Sequence, residues 1–343
     1  MGERISSPEF KSNGGFMFKI CVIGCGGMSS GGHGPSYKKY KEDYKDVCLA
    51  ACCDLDEEKA KEYKEKFGFE KYYTNYDEMF EKENPDVVCL MAPVSLTKKL
   101  SVDIMKKGYN IIMEKPPGAN VSETKEMIEA GEESGVFVRC AFNRRYAPLV
   151  IKLKECIKNK RIYNITYQMY RHSRKESTFY TTAIHAIDAV KNIVGSDYKK
   201  INITFQELPE IGEGVANFYL DCDFENGVKG FISLVPQGGA VVERITVNTP
   251  DESWFVELPF WNNLDVPGRI RGIKKNEVFY DVSGAELAKT GEMFEEMGFY
   301  EENRSFFELI KSGVKPYSDL KSGLQSMEIA ECLEKRISVY ENK

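Results

Sequence analysis

The chain predicts an α/β fold in two parts: an N-terminal doubly wound parallel sheet, then an α+β domain with a large, mainly antiparallel open sheet. Three observations predict it. From Phe18 to Phe142, short apolar runs alternate with helix-period segments. A glycine-rich turn, Gly24-Cys25-Gly26-Gly27-Met28-Ser29, comes directly after the first run. After Arg145 the alternation gives way to strand-type segments as far as Val282, and helices return only near the C-terminus.

Residues 18–24, 47–53, 86–91, 109–113 and 136–142 are near-continuous apolar runs, the pattern of strands covered on both sheet faces. Helical patterns lie between them at 57–67, 76–83, 96–107 and 122–134. Asn120 and Glu123 are spaced to form an N-terminal capping box on the last of these. Strand and helix alternating in this way imply a parallel sheet with helices on both faces. In the second part, a helix over 147–159 leads to a strand over 163–170, a polar segment over 171–177 and a helix over 178–194. Strands are then expected at 201–207, 214–224, 227–235, 242–249, 253–258 and 277–282, and Asn226-Gly227 signals a tight hairpin between two of them. Helices over 300–312 and 320–340 close the chain.

Composition narrows the function classes. With 42% apolar and 29% charged residues and a net charge of −6, the chain has the balance of a globular protein and lacks the basic excess of a nucleic-acid binder. No apolar run reaches the length of a membrane span. Residues 1–16 are polar and carry Ser6-Ser7-Pro8-Glu9-Phe10, so they read as a vector-derived leader with Met17 as the native start. Of ten cysteines, Cys21, Cys48, Cys52, Cys53 and Cys89 lie in apolar runs, where cysteine behaves as a small hydrophobe. There is no CxxC pair, and three histidines give no zinc-type cluster, so no metal is expected. Reduced thiols point to the cytoplasm.

The glycine turn carries the first chemical signal. It fits the pattern GxGxxG except that Ser29 stands at the third glycine. Gly24, Gly26 and Gly27, with Met28, would let a pyrophosphate approach backbone N–H groups at a helix N-terminus, the arrangement of a Rossmann dinucleotide site. The insertion Ser30-Gly31-Gly32-His33-Gly34-Pro35 is expected to delay or break the usual helix, leaving His33 an exposed loop residue in preference to the alternative of a place near the phosphates. Asp54 ends the second strand, where a carboxylate can accept hydrogen bonds from a ribose hydroxyl and repel a 2′-phosphate. The cofactor expected is therefore NAD. Residues 17–142 read as the NAD-binding domain, and 143–343 as the domain for substrate and oligomerisation, with C-terminal helices packing back on the first.

Glu114-Lys115-Pro116 closes the strand over 109–113. Together with Phe142-Asn143-Arg144-Arg145-Tyr146, His185-Ala186-Ile187-Asp188 and Glu302-Asn303-Arg304-Ser305-Phe306-Phe307, this order of motifs resembles the glucose-fructose oxidoreductase, inositol dehydrogenase and MocA family (Gfo/Idh/MocA). The resemblance runs over nearly the whole chain from Phe18. It implies that Lys115 lies at the nicotinamide face and moves a proton to or from a substrate hydroxyl. It implies that Glu114 and Pro93 complete the cofactor lining and that His185 is a catalytic or substrate-orienting group. Asp188, three residues on, is expected to support the helix and interface. A positive nicotinamide ring or a protonated His185 would lower the pKa of Lys115. The bland alternative for Lys115 is a surface lysine paired with Glu114.

Two positions depart from the family. Thr181 stands where these dehydrogenases often carry an aspartate, and Thr97 where they often carry a histidine. A threonine can hydrogen-bond a hydroxyl but cannot act as an anionic base. Asn143, Arg144, Arg171 and Thr181 are the expected substrate contacts, with His172 and Arg174 beside them, the equal alternative for the basic residues being solvated loop charges; Tyr180 or Trp261 either stack on a sugar or pack in a core or subunit interface. The expected activity is NAD-dependent oxidation or reduction at a hydroxyl of a sugar, cyclic polyol or related derivative. The alternatives are redox-assisted elimination or glycoside cleavage with NAD recycled in place, and a dinucleotide sensor or scaffold without chemistry. By the same resemblance, pairing of the second sheet into a homodimer or homotetramer is expected.

Overall fold

The computed structural model describes residues 17–261 and 263–342. The leader expected at 1–16 lies outside the described residues. Six parallel strands form the first sheet: β1 (Phe18–Ile23), β2 (Val47–Cys53), β3 (Lys71–Tyr73), β4 (Val87–Leu90), β5 (Asn110–Glu114) and β6 (Val138–Ala141), in the order β3-β2-β1-β4-β5-β6. The apolar runs become strands because both faces are covered: every residue of β2 and β4 is buried. The covering helices are α1 (Gly34–Asp43), α2 (Glu57–Phe67), α3 (Tyr76–Glu83), α4 (Val94–Lys106) and α5 (Val121–Ser134). The Asn120 side chain accepts from Glu123 N, as the capping spacing predicts, but Glu123 closes back on Ala119 N rather than on Asn120 N.

Two elements here differ from expectation. β3 is three residues long and only Tyr73 is buried, too short to show a period. The helix after the glycine turn is not broken by its insertion. Ser29–His33 form one π-helical turn that runs directly into α1, so the extra residue widens the helix.

The second part opens with α6 (Pro148–Ile157), β7 (Asn164–Tyr170) and α7 (Tyr180–Val194). Strands β8 (Tyr198–Glu207), β9 (Ala216–Phe224), β10 (Lys229–Val235), β11 (Val242–Asn248), β12 (Ser253–Leu258), β13 (Arg269–Lys274) and β14 (Glu277–Ser283) come next. Then come α8 (Gly284–Ala288), α9 (Met293–Glu296), α10 (Phe299–Lys311), α11 (Leu324–Glu334) and β15 (Val339–Glu341). The nine-stranded sheet runs β14-β13-β12-β11-β7-β10-β9-β8-β15 and is antiparallel except where β7 meets β10. Gly227, at φ 84°, makes the expected hairpin between β9 and β10. β13 escaped the sequence pattern because it alternates Arg, Ile, Arg and Gly; Gly272 is under Trp254, where a Cβ would sit 2.8 Å from the indole. The helix expected over 320–340 stops at Glu334. Arg336 turns the backbone at φ 55°, and β15 pairs with β8.

α7 lies against the inner face of this sheet, with Ala183, Ala186, Ile187 and Val190 in one core with Tyr167, Phe218 and Ile245. α10 does the opposite: Phe306 and Phe307 are buried against Phe18, Tyr37 and Tyr40, so the C-terminal part packs back onto the first sheet. Among the described residues no helix is long and apolar enough to cross a membrane.

Gly24 fixes the junction between β1 and the glycine turn. Its φ is 96°, and a Cβ would lie 2.3 Å from the Met91 carbonyl oxygen at the end of β4. Gly24→Ala should therefore lose at least ~2 kcal/mol of unfolding free energy, from the unfavourable φ and the backbone collision together. Urea denaturation monitored by circular dichroism measures it; an unchanged midpoint would mean the turn relaxes freely.

Candidate active site

The strand order reverses between β1 and β4, and in such sheets a crevice opens at the C-terminal strand ends. Here it is a cavity of ≈ 730 Å³. Gly24, Gly26, Gly27 and Met28 form one wall; Asp54 and Pro93 lie at the rim of β2 and β4; Glu114 and Lys115 form the end nearest the second domain. All eight residues expected at the cofactor thus border one space. Residues the sequence did not flag join them, among them Leu55, Lys59, Tyr76, Met91, Leu96 and Leu100. They are apolar or long side chains on strand ends and the early turns of helices, with no motif to mark them.

The Asp54 carboxylate is held at both oxygens. Cys25 N donates to Oδ2 at 2.8 Å and Asp56 N donates to Oδ1 at 3.0 Å. It thereby ties the glycine turn to the end of β2. Lys59 is paired with Asp56 at 3.1 Å.

His33 is fully buried, not an exposed loop residue. The π turn aims its ring inward, between Tyr37 and Phe299. Asn303 Nδ2 donates to the Phe299 carbonyl at 2.8 Å and to His33 Nδ1 at 3.1 Å. That fixes the tautomer, because the Phe299 carbonyl requires the amide nitrogen there. His33 Nε2–H then donates to Glu114 Oε1 at 2.9 Å. The other oxygen, Oε2, accepts from the Lys115 backbone N at 3.1 Å. Burial would raise the Glu114 carboxyl, but the His33 hydrogen bond and the Lys115 charge hold it below the usual glutamate range.

Lys115 is not a surface lysine paired with Glu114. It is half-buried in the cavity wall, and its Nζ donates to the Thr181 carbonyl at 3.4 Å. Desolvation lowers its pKa, and Arg144 and Arg174 add to the shift against the opposing effect of Glu114. His185, on α7, is buried with Nδ1 unpartnered. Burial, then Arg144, Lys115 and Arg171, push its pKa well below the usual histidine range, so the ring is neutral at neutral pH. A protonated His185 is thus not what lowers Lys115.

The arginines expected to meet substrate already have a partner. Arg144 Nη2 donates to Glu243 Oε1 at 2.7 Å and its Nε to Oε2 at 3.2 Å, while Arg171 Nη2 donates to the same carboxylate. Tyr167 Oη donates to Glu243 at 2.7 Å, and both guanidinium groups pack on Phe260. Glu243, unflagged in the sequence, is held down at about 2 against its burial, by these two charges. Asn143 is also internal: its Nδ2 donates to the Met297 carbonyl at 2.9 Å and its Oδ1 accepts from Arg144. This group is a buried ion cluster in which Glu243 already matches both arginines.

The remaining candidates scatter. Thr181 offers its carbonyl to Lys115, while its hydroxyl donates to Thr178 O at 2.9 Å. Thr97 is buried and donates to Pro93 O. Asp188 accepts from Arg145 at 2.5 and 2.8 Å, which ties α7 to the segment before α6. Arg174 pairs with Glu176, and His172 Nδ1 lies 3.1 Å from the Gly238 carbonyl. Tyr180 Oη donates to Glu334, and Trp261 lies over Gly31 and Phe299.

Residues 18–142 match the Gfo/Idh/MocA profile, described as an oxidoreductase family with an NAD-binding Rossmann fold. The match places residues 18–142 in this family. A myo-inositol 2-dehydrogenase of Thermotoga maritima is 31% identical over 141 residues, covering 41% of this chain and 41% of that protein. A scyllo-inositol 2-dehydrogenase (NADP(+)) of Bacillus subtilis is 30% identical over 139 residues, covering 40% and 41%. The chain thus spans less than half the length of these relatives in the matched region. Over nearly the full length, a levoglucosan dehydrogenase solved with NADH and levoglucosan shares the fold, with a TM-score of 0.77 and 17% identity over 94% of this chain and 99% of that one.

The residues present fit a dinucleotide. A Cβ at Gly26 or Gly27 would meet nothing within 4 Å, so both open onto the space a pyrophosphate needs. Gly26→Val should therefore fold normally while its side chain fills that cradle. NADH titration monitored by fluorescence should show binding weakened at least ~10²-fold, with an unchanged melting temperature; normal binding would show that the pyrophosphate passes elsewhere.

Proposed function

We propose that this chain is an NAD-dependent oxidoreductase acting on a hydroxyl of a sugar, a cyclic polyol or a related derivative. The observation that carries this is Lys115: an amine in the cavity wall, beside the glycine turn's cleft, with its pKa lowered and Glu114 turned to other partners. The bound nicotinamide would accept or supply the hydride. In oxidation, neutral Lys115 Nζ takes the hydroxyl proton, and in reduction it returns it. His185, neutral and with Nδ1 unpartnered, orients that hydroxyl by a hydrogen bond. The inositol and levoglucosan dehydrogenases among its relatives support a polyhydroxylated substrate. Thr181 keeps the elimination reading as the alternative, because the position lacks an anionic base. In that case substrate is cleaved with no net NADH.

Cofactor choice turns on the β2 end. Asp54 and Asp56 outnumber Lys59 there, and Asp54 is fixed by two backbone N–H groups. A 2′-phosphate would face net negative charge. Fluorescence titration should show NADH bound at least ~10-fold more tightly than NADPH, with the gap closing in Asp54→Ala. Equal affinity in the wild type would leave Asp54 a purely structural tie.

The chemistry is tested with a panel of inositols and sugars, read at 340 nm with products identified. Lys115→Ala should lose ~10²–10⁴-fold in turnover while NADH still binds, and His185→Ala should also be severe. The sign with pH is fixed: oxidation needs the neutral amine, so the rate rises with pH through the Lys115 pKa. Because that pKa is lowered, the midpoint of the rise should lie below the usual lysine value of about 10.4. Wild-type turnover in Lys115→Ala would overturn the assignment.

A further inference from the structure

His33 has no place in the proton transfer above, yet it is buried at 0% exposure and hydrogen-bonded on both ring nitrogens. It reaches Glu114 only because Ser29–His33 form a π turn. The carboxylate it holds belongs to the residue immediately before Lys115. Both Glu114 oxygens are engaged by N–H donors, one from His33 and one from the Lys115 backbone.

We infer that His33 is a positioning residue that keeps the Glu114 carboxylate turned away from the Lys115 amine, so that the lysine stays unpaired and free to carry a proton. The inference rests on Lys115 as the proton carrier. An acid and an amine on adjacent residues, both poorly solvated, attract strongly, and an unrestrained Glu114 would close on Nζ. Such a pair favours the ammonium and would oppose the lowering that burial imposes on the amine. With His33 donating to Oε1, that closure costs a buried hydrogen bond and leaves an orphaned ring N–H.

The other charges around the pair have partners or are neutral. Lys115 faces Glu114, Arg144, Cys140, Arg174 and His185. Glu114 faces His33, Lys115, Tyr37, Cys140, Arg144 and Glu302. Glu302, on α10, is fully buried with both carboxyl oxygens unpartnered, and burial, then Glu114, pushes its pKa well above the usual range, so it is neutral. Arg144 is matched by Glu243 and Arg174 by Glu176. Glu114 is then the anion next to Lys115 whose orientation can change its protonation.

The test uses the full chain labelled with ¹³Cε-lysine, loaded with NADH, and titrated by NMR. The Lys115 resonance is the one missing from Lys115→Arg. His33→Phe keeps the aromatic packing against Tyr37 and Phe299 but removes the donor, and should raise the Lys115 midpoint by about one to three pH units. His33→Gln places an amide nitrogen at the same bond distance from Cα as Nε2, and should stay within about half a unit of wild type. His33→Asn is one bond too short and should behave like Phe, which keeps the comparison available if the Phe variant does not fold. Adding Glu114→Gln to either donor-lacking variant should abolish the rise. An unchanged midpoint in His33→Phe or His33→Asn, or a rise that persists with Glu114→Gln, overturns the inference. Turnover of Lys115→Ala reads the proposed chemistry separately: if it stays at wild type while the midpoints move as described, the chemistry fails and the positioning stands.

Discussion

Withdrawing an amine from water is the constraint around which this site is arranged. Desolvation lowers the Lys115 pKa, but a nearby carboxylate could reverse that shift completely. The neighbouring charges are therefore each given a partner other than the lysine. Glu114 is engaged by His33 and by a backbone N–H; Arg144 and Arg171 share Glu243; Arg174 pairs with Glu176. His185 is kept neutral by burial among these cations. What remains next to the cavity is one lysine whose protonation is set by desolvation rather than by an ion pair.

This arrangement needs both sheets. β5 delivers Glu114 and Lys115 at its C-terminal end, where the reversal of strand order opens the cleft. α7 brings His185 and the Thr181 carbonyl from the second domain, and β11 brings Glu243 from its sheet. α10 closes the circuit from the far end of the sequence. Its Phe306 and Phe307 anchor it on β1 and α1, and that anchoring holds Asn303 against His33. The residue that fixes the tautomer of His33 therefore depends on packing between distant elements: the hydrogen bond itself joins residues 270 positions apart.

Much of the fold was legible because its signals are local. Runs such as residues 47–53 are apolar throughout, so burial on both faces could be read directly, and Asn226-Gly227 specified a hairpin by its own backbone preferences. β13 and β15 were not legible. Their outward residues are charged or exposed and their identity comes from pairing with other strands. The cofactor cleft was legible for the same reason as the strands, since a glycine turn after a strand and an acid at the end of the next are adjacent in sequence to the elements that place them. The arginine cluster was not. Arg144 and Arg171 read as free cations because nothing near them in sequence announces Glu243, which lies 99 and 72 residues away. A charge's partner is a tertiary fact, and composition alone assigns it to a ligand too readily.

His33 shows the same lesson in the opposite direction. Gly31, Gly32 and Gly34 around it suggest a loop, because glycine costs helix stability in isolation. In the fold those glycines are what the helix requires: a Cβ at Gly31 would meet Trp261 at 3.1 Å, one at Gly32 would meet Phe299 at 2.9 Å, and one at Gly34 would meet Phe67 at 2.5 Å. The small residues let three aromatic rings close on the first turn of the helix, and that closure buries the histidine. An extra residue that widens a helix would ordinarily be a defect to be relaxed into a loop. Here the surrounding rings leave no room for a loop, so the widening persists as a π turn and directs the imidazole at Glu114. The composition that hid the helix from a sequence reading is thus the composition that makes its unusual turn possible.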